Sequence, residues 1–236
     1  EMQYFVKPGT DNEAFGQWKD KRLNFYLDNL DINKDKLRFH EHGSNELAHY
    51  AKEAWDIEYK FPFGWSEIEG IHNRTDYDLS RHEEFSGKNL SYFDQPNNDR
   101  YLPYIIETSA GLNRMLLTVL ADAYWEDDEN NRTVMRISPR LAPVKAVICP
   151  LLKKDGLPEK AREIIEILKP HFKVLYDQQG SIGKRYYRQD EAGTPFGITV
   201  DHQSIEDNSV TLRDRDSMKQ DRISIERILN AIQDSF

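Results

Sequence analysis

The chain has 236 residues, 38% of them hydrophobic and 31% charged, with a formal net charge of -9. That length suits one large domain or two small ones, the acidity excludes a polybasic nucleic-acid binder, and no apolar run approaches the ~20 residues that cross a bilayer. The one cysteine, Cys149, excludes an internal disulfide, and with the high charge it suits a reducing, cytoplasmic setting. Met stands second and no signal segment opens the chain, which reads as a fragment or a processed form.

In chain order, Met2 to Val6 alternates like a strand, and residues 11–30 place Phe15, Trp18, Leu23, Tyr26 and Leu30 at helical spacing. Residues 45–57 read as a second helix and 60–71 as a strand bearing Trp65, Ile68 and Ile71. Residues 101–107 form a further strand. Residues 109–125 give the clearest helix of this half, with Leu112, Leu116, Leu117 and Leu120 in one stripe, and 126–131 read as a solvated acidic loop. The two prolines of Ser138 to Pro143 mark a linker, which divides the chain into domains 1–139 and 140–236.

The charge divides nearby. Residues 143–236 hold 15 basic and 15 acidic side chains, so the whole acidic excess precedes them. After the linker the pattern is regular. Residues 144–151 are an apolar strand, and 158–172 are a helix with Ile164, Ile165, Ile167 and Leu168 inward. Residues 173–176 form a strand, 181–192 a polar helix, 195–200 and 209–213 strands, and 221–232 a closing helix. Alternating strands and helices with continuous apolar strands give a layered α/β domain with a mixed sheet.

The segment from Ile106 to Arg114 carries the most chemistry. A strand ends in Glu107, a small-residue turn follows, and a helix opens with an arginine in its first turns. A helix N-terminus attracts anions through free N–H groups and its dipole, and Arg114 adds a planar donor fork suited to phosphate. The bland alternative makes Ser109 an N-cap and Arg114 a surface residue. Two other patterns fail. Gly180 to Arg185 lacks the spacing of a phosphate loop, and His40-Glu41-His42 has no second ligand pair for a metal.

The block Glu107-Thr108-Ser109-Ala110-Gly111-Leu112-Asn113-Arg114 resembles motif 3 of the class II aminoacyl-tRNA synthetases in their glycine-specific form, with Thr108 in place of the usual proline. Asn45 to Lys52 with Trp55-Asp56 is similar to the family's Ala-His-Tyr-Ala helix. Gly64 to Ile71 is similar to the strand that carries an ATP-site glutamate, and Glu1 to Val6 to the strand that leaves motif 2. The resemblance implies Glu1, Arg74, Glu107 and Ser109 around glycine. It implies Glu67, Ile68, Gly111 and Arg114 around ATP and its Mg2+, with Arg114 in the catalytic role on the γ-phosphate and no tightly held protein metal. Motifs 1 and 2 would lie upstream, so the chain taken alone is expected to be inactive.

Residues 141–146, 180–188, 190–196 and 210–216 resemble the anticodon-binding domain shared by the glycine, threonine, proline and histidine enzymes. Lys184, Arg185, Tyr186, Tyr187, Arg188, Arg213 and Arg215 supply the basic and aromatic groups that single-stranded RNA asks for, although Arg213 to Asp216 can equally pair among themselves. The implied fold is α+β, the end of an antiparallel-sheet catalytic domain, followed by the α/β domain. The implied activity is ligation of glycine to tRNA(Gly) with ATP, in a homodimeric cytoplasmic protein with no membrane. The rival is a non-catalytic tRNA-binding protein on the same scaffold.

Overall fold

The first part of the chain lays down β1 (Met2–Val6), α1 (Asp11–Asn24, continued by one wide turn through Asn29), β2 (Leu37–Glu41), β3 (Glu53–Phe61) and β4 (Gly64–Thr75). It continues with α2 (Tyr77–Ser86), the short pair β5 (Tyr92–Asp94) and β6 (Asp99–Tyr101), then β7 (Tyr104–Ala110) and α3 (Leu112–Ala123). In the computed structural model, which describes residues 1–43 and 45–235, five of these strands form an antiparallel sheet in the order β1-β7-β4-β3-β2.

Side chains alternate faces along a strand, and α1 packs on β4 and β7. That covered face holds Ile71 and Ile106, fully buried. It also holds Glu69, which accepts from Arg22 Nε at 2.5 Å, and Asn73, which donates to Asp11 at 2.7 Å. The opposite face carries Gly70, His72 and Arg74, and Arg74 reaches Asp78 in the first turn of α2.

The structure corrects the reading of 45–57 as a helix. Residues 45–52 form turns and bends, and β3 starts at Glu53. Ala48, Ala51 and Ala54 favour a helix locally, but β3 lies between β2 and β4 and gains ladder hydrogen bonds on both sides. Helix α2 was not legible because none of its residues is buried, so it carries no apolar stripe. The four leucines of α3 are all exposed, from 79% at Leu112 to 40% at Leu120.

The later part forms the hairpin β8 (Tyr124–Asp127) and β9 (Arg132–Met135), then β10 (Ala146–Pro150), α4 (Leu157–Leu168), β11 (Val174–Tyr176) and α5 (Ile182–Ala192). It ends with β12 (Phe196–Val200), α6 (His202–Asp207), β13 (Ser209–Asp214), β14 (Gln220–Ser224) and α7 (Ile225–Gln233). The sheet order is β11-β10-β12-β13-β14. Its first two ladders are parallel and its last two antiparallel, which makes the sheet mixed. Its core joins Ile148, Ile198 and Val200 to Leu157, Ile164 and Leu168 of α4 and to Ile228 and Ile232 of α7.

Three details differ from the sequence reading. Ile167 is 46% exposed rather than inward. The acidic loop is the tip of a hairpin whose Asp127 is buried against Arg132. Residues 220–224 pair with β13 as an edge strand before α7 begins. Chain contacts divide the molecule into two compact units, Glu1–Val119 and Leu120–Phe236, so the hairpin falls in the second unit, ahead of the linker at 138–143. No helix among the described residues is long and apolar enough to cross a membrane.

Candidate functional site

Strand pairing assembles the first site on the open face of the antiparallel sheet. Glu107 in β7 lies opposite Gln3 of β1 on one side and His72 of β4 on the other. Ser109 lies opposite Gly70, and Asp56 of β3 lies opposite Gly70 on its far side. Ser109 is therefore a strand residue: β7 runs on through Ala110 and α3 starts at Leu112, which removes the N-cap alternative.

Arg74 occupies a bulge in β4, since Asn73 pairs with Ile106 and Thr75 with Ile105, and Thr75 takes a left-handed φ of 52°.

 

That φ of 52° and the extra residue re-aim the guanidinium, as bulges beside functional sites do. Arg74 Nη1 donates to both oxygens of Glu107 at 3.1 Å, and its Nε and Nη2 take the two oxygens of Asp78 at 2.6 and 2.9 Å. The Asp78 bond, working against partial burial, raises the Arg74 pKa further above its ordinary range, so the cation is permanent. The Gln3 amide bridges the two carboxylates, donating to Glu1 at 3.1 Å and to Glu107 at 3.2 Å.

The residues expected around ATP lie toward the other end of β4 and at the start of α3. Arg114 Nη1 donates to Ser66 Oγ at 2.8 Å and to the Glu67 carbonyl at 3.0 Å, with the Arg114 side chain exposed. Ile68 is buried, so it contributes backbone and wall rather than a reachable side chain. Gly111 accepts the Met115 N–H at 2.9 Å in the first turn of α3. Loss of water around the Glu67 carboxyl and the like charge of Asp56 push its pKa up.

Sequence reasoning missed three neighbours. His72 Nδ1 lies 3.8 Å from Glu107 Oε1, and His42 Nε2 contacts Asp56 at 2.8 Å. Gly70 has no room for a side chain, because a Cβ there would stand 2.8 Å from the His72 ring. The signal was the alternation of β4, which puts Gly70, His72 and Arg74 on one face. Among the described residues no group of three or more His, Cys, Asp or Glu side chains is placed to hold a metal ion.

In the second unit, the named basic and aromatic residues separate into two sets. Lys184, Tyr187 and Arg188 are exposed on α5, with Arg188 held by Asp177 at 2.5 Å. Arg185, Arg213 and Arg215 are instead buried at 3%, 4% and 2% exposure, with their guanidinium groups bonded inside the fold. Arg185 donates to the carbonyls of Pro150 and Gly180 at 2.7 and 2.8 Å. Arg213 grips Asp190 with two bonds at 2.8 and 2.9 Å. Arg215 donates to the carbonyls of Ile137 and Gly193 and to Asp216. Tyr186 is buried on Thr199 Oγ1 over Gly197, where a Cβ would collide with its ring. Cys149 is buried and its thiol is pushed up to about 12 by burial, so it is inert.

A family model described as an anticodon binding domain matches residues 145–235. Over 99% of its length the chain is 56% identical to a glycine–tRNA ligase of Treponema denticola, of which it covers 53%. Over 97% of its length it is 52% identical to a glycine–tRNA ligase of Thermobifida fusca, of which it covers 51%. It thus spans about half the length of these relatives. A prolyl-tRNA synthetase from Cryptosporidium parvum, solved in complex with L-proline and AMP, superposes with a TM-score of 0.73 over 98% of this chain and 48% of that one, at 17% identity. That likeness shows a shared fold, an antiparallel sheet with helices followed by a mixed-sheet α/β domain. By sequence along nearly its whole length, the chain is a relative of the glycine–tRNA ligases with an anticodon-binding domain at residues 145–235.

Proposed function

We propose that the full-length protein carrying these residues is a glycine–tRNA ligase, which activates glycine with ATP and transfers it to tRNA(Gly). The observation that supports this most is the Arg74–Glu107 pair on the polar face of the sheet. Glycine at neutral pH is a carboxylate and an ammonium with no side chain to read. Asp78 holds the Nε and Nη2 arms of Arg74, so Nη1 is the arm that would donate to the carboxylate, and Glu107 with Glu1 offers acceptors for the ammonium. Entry of the amino acid would exchange one direct ion pair for two pairs through the substrate, with Ser109 alongside.

Arg114, at the start of α3, supplies charge and the N–H donors of its Nε and Nη2 for a phosphate, where the helix N-terminus also favours an anion. Mg2+ would arrive with ATP, bound mainly through the phosphates. In this reading, residues 1–139 supply the end of the catalytic domain, with Glu67, Ile68 and Gly111 beside ATP, and residues 140–236 read the anticodon through Lys184, Tyr187 and Arg188. The working protein is a cytoplasmic homodimer. Adenylyl transfer rests on holding the two reactants in line and on neutralising developing charge, which is what this set of residues can do.

The test is ATP–pyrophosphate exchange by the full-length protein, with glycine, proline and threonine in parallel. Glycine-dependent exchange is expected, with none for the other two. Charging of a tRNA(Gly) transcript should fall when its anticodon is scrambled. Exchange that glycine does not stimulate would overturn the reading.

A further inference from the structure

The Nδ1 atom of His72 is fully enclosed and has no hydrogen-bond partner. Such an orphan is unusual in a folded protein, because a buried polar atom gives up its bonds to water and gains none in return. It is 3.8 Å from Glu107 Oε1, too far for a direct hydrogen bond. Two acceptors at that separation can, however, each take an N–H from one nitrogen lying ~2.9 Å from both. Glu107 is also the carboxylate that Arg74 grips, so the orphan atom lies beside the pair described above.

We propose that His72 Nδ1 accepts one N–H of the amino acid's ammonium group, completing with Glu107 and Glu1 a set of three acceptors for its three donors. This rests on the reading of the face as an amino-acid site. The ammonium carries three N–H bonds, and Glu107 and Glu1 with one oxygen each take two of them. A neutral imidazole is the fitting third group: it accepts without adding a further negative charge beside Glu1 and Glu107. The tautomer required carries its proton on Nε2.

The surroundings keep the ring neutral. His72 faces Glu107 on β7, Asp56 on β3, Arg74 on its own strand and His42 from the segment after β2. Tyr50 and His42 pack their rings edge-on against it, at 6.4 and 6.2 Å between centroids. Burial lowers the His72 pKa and outweighs the pull of Glu107 and Asp56. At neutral pH the lone pair is therefore available. Protonation in acid would put a cation where the ammonium must sit.

The experiment measures KM for glycine and for ATP in pyrophosphate exchange by the full-length protein, between pH 5.5 and 8.5. His72→Phe fills the space without an acceptor, and His72→Asn places an amide oxygen near Nδ1. For His72→Phe the glycine KM should rise about tenfold, equivalent to about 1.4 kcal/mol, with the ATP KM unmoved. His72→Asn should recover most of that loss. The wild-type glycine KM should climb toward acid pH, and the Asn variant should lose that climb. If His72→Phe exchanges with an unaltered glycine KM, His72 accepts nothing from the substrate although the ligase reading stands. If His72→Phe does not fold, the comparison of His72→Asn with wild type decides, and identical pH profiles overturn the proposal. If the wild-type protein shows no glycine-dependent exchange, the ligase reading itself fails and takes this role with it.

Discussion

Individual residues were legible where their chemistry is visible in their type and illegible where burial decides. Glu107 and Ser109 could be named from the strand-turn-helix pattern and Arg74 from the resemblance alone; Glu107 and Ser109 share one face of β7, and Arg74 donates to Glu107. Arginines in the second unit could not be sorted, because nothing in a sequence says whether an arginine faces water or an aspartate. Arg213 and Lys184 now make opposite predictions. Removing one partner of a buried ion pair strands the other, at about 3–5 kcal/mol, so Arg213→Ala should lower stability by that order through Asp190. Lys184→Ala should leave the urea midpoint in place and weaken binding of the tRNA(Gly) anticodon loop several-fold. Loss of RNA affinity in a fully folded Arg213→Ala protein would contradict this division.

Two histidines on the polar face also act in opposite senses. For His42, burial opposes protonation, but the hydrogen bond and charge of Asp56 win and raise its pKa above 6.5. Its contribution is full below 6.5 and fades as pH rises through the folded value. For His72, burial lowers the pKa below 6.5, so the unfolded chain takes up a proton that the native state refuses, and stability is lost as pH falls. Urea midpoints at pH 5.5 and 8.0 should therefore show His42→Asn costing more at the lower pH. The cost of His72→Asn should be smaller there, or become a gain. Differences of the same sign for both variants would refute the assignment.

At the scale of elements, strands and helices with a buried stripe could be read, and those defined by partners could not. Strand β10 and helix α4 bury continuous or periodic apolar residues and fall where the pattern puts them. Strand β3 was taken for a helix because its ladders to β2 and β4 come from residues distant in sequence, and β14 was absorbed into α7 for the same reason. Helix α6 is only six residues long, so its stability lies in its cap. Asp201 accepts the Ser204 N–H at 3.0 Å while Ser204 Oγ returns a bond to the Asp201 N–H at 3.0 Å. Arg222 adds two bonds to the same carboxylate, at 2.7 and 3.0 Å. Asp201→Ala should cost about 1–2 kcal/mol. Although burial opposes it, Arg222 and the Ser204 N–H hold the Asp201 pKa low. The contribution is thus present above the ordinary carboxylate range and lost as pH falls through the folded value. The deficit of the variant should shrink in acid, as followed by thermal unfolding at pH 7 and pH 3. A deficit that stays constant would mean the cap works without its charge.

At the scale of the whole molecule, the question is where the second folding unit begins. The prolines at 139 and 143 mark a linker in sequence, and the family model starts at residue 145, but the contacts start the unit at Leu120. The reason is a buried ionic cluster. Arg132 of the hairpin donates to Asp127 and to Asp190 of α5, each at 2.7 Å, and to the Arg215 carbonyl at 2.8 Å. Asp190 in turn holds Arg213, and all four charged residues are nearly closed to water. A chain cut at 140 leaves Asp190 with Arg213 alone and uncovers the Arg215 backbone. It also strips Ala123, Met135 and Ile137 from their contact with Ala142. Loss of one partner from such a cluster is expected to cost about 3–5 kcal/mol, a large part of the stability of a domain this size. Residues 120–236 expressed alone should unfold cooperatively, and residues 140–236 should unfold at a clearly lower urea concentration or fail to fold. Arg132→Met in the longer piece should reproduce most of that loss, because it removes the charge that Asp190 needs while keeping the hairpin. Equal midpoints for the two pieces would place the boundary at the prolines and make the hairpin an appendage.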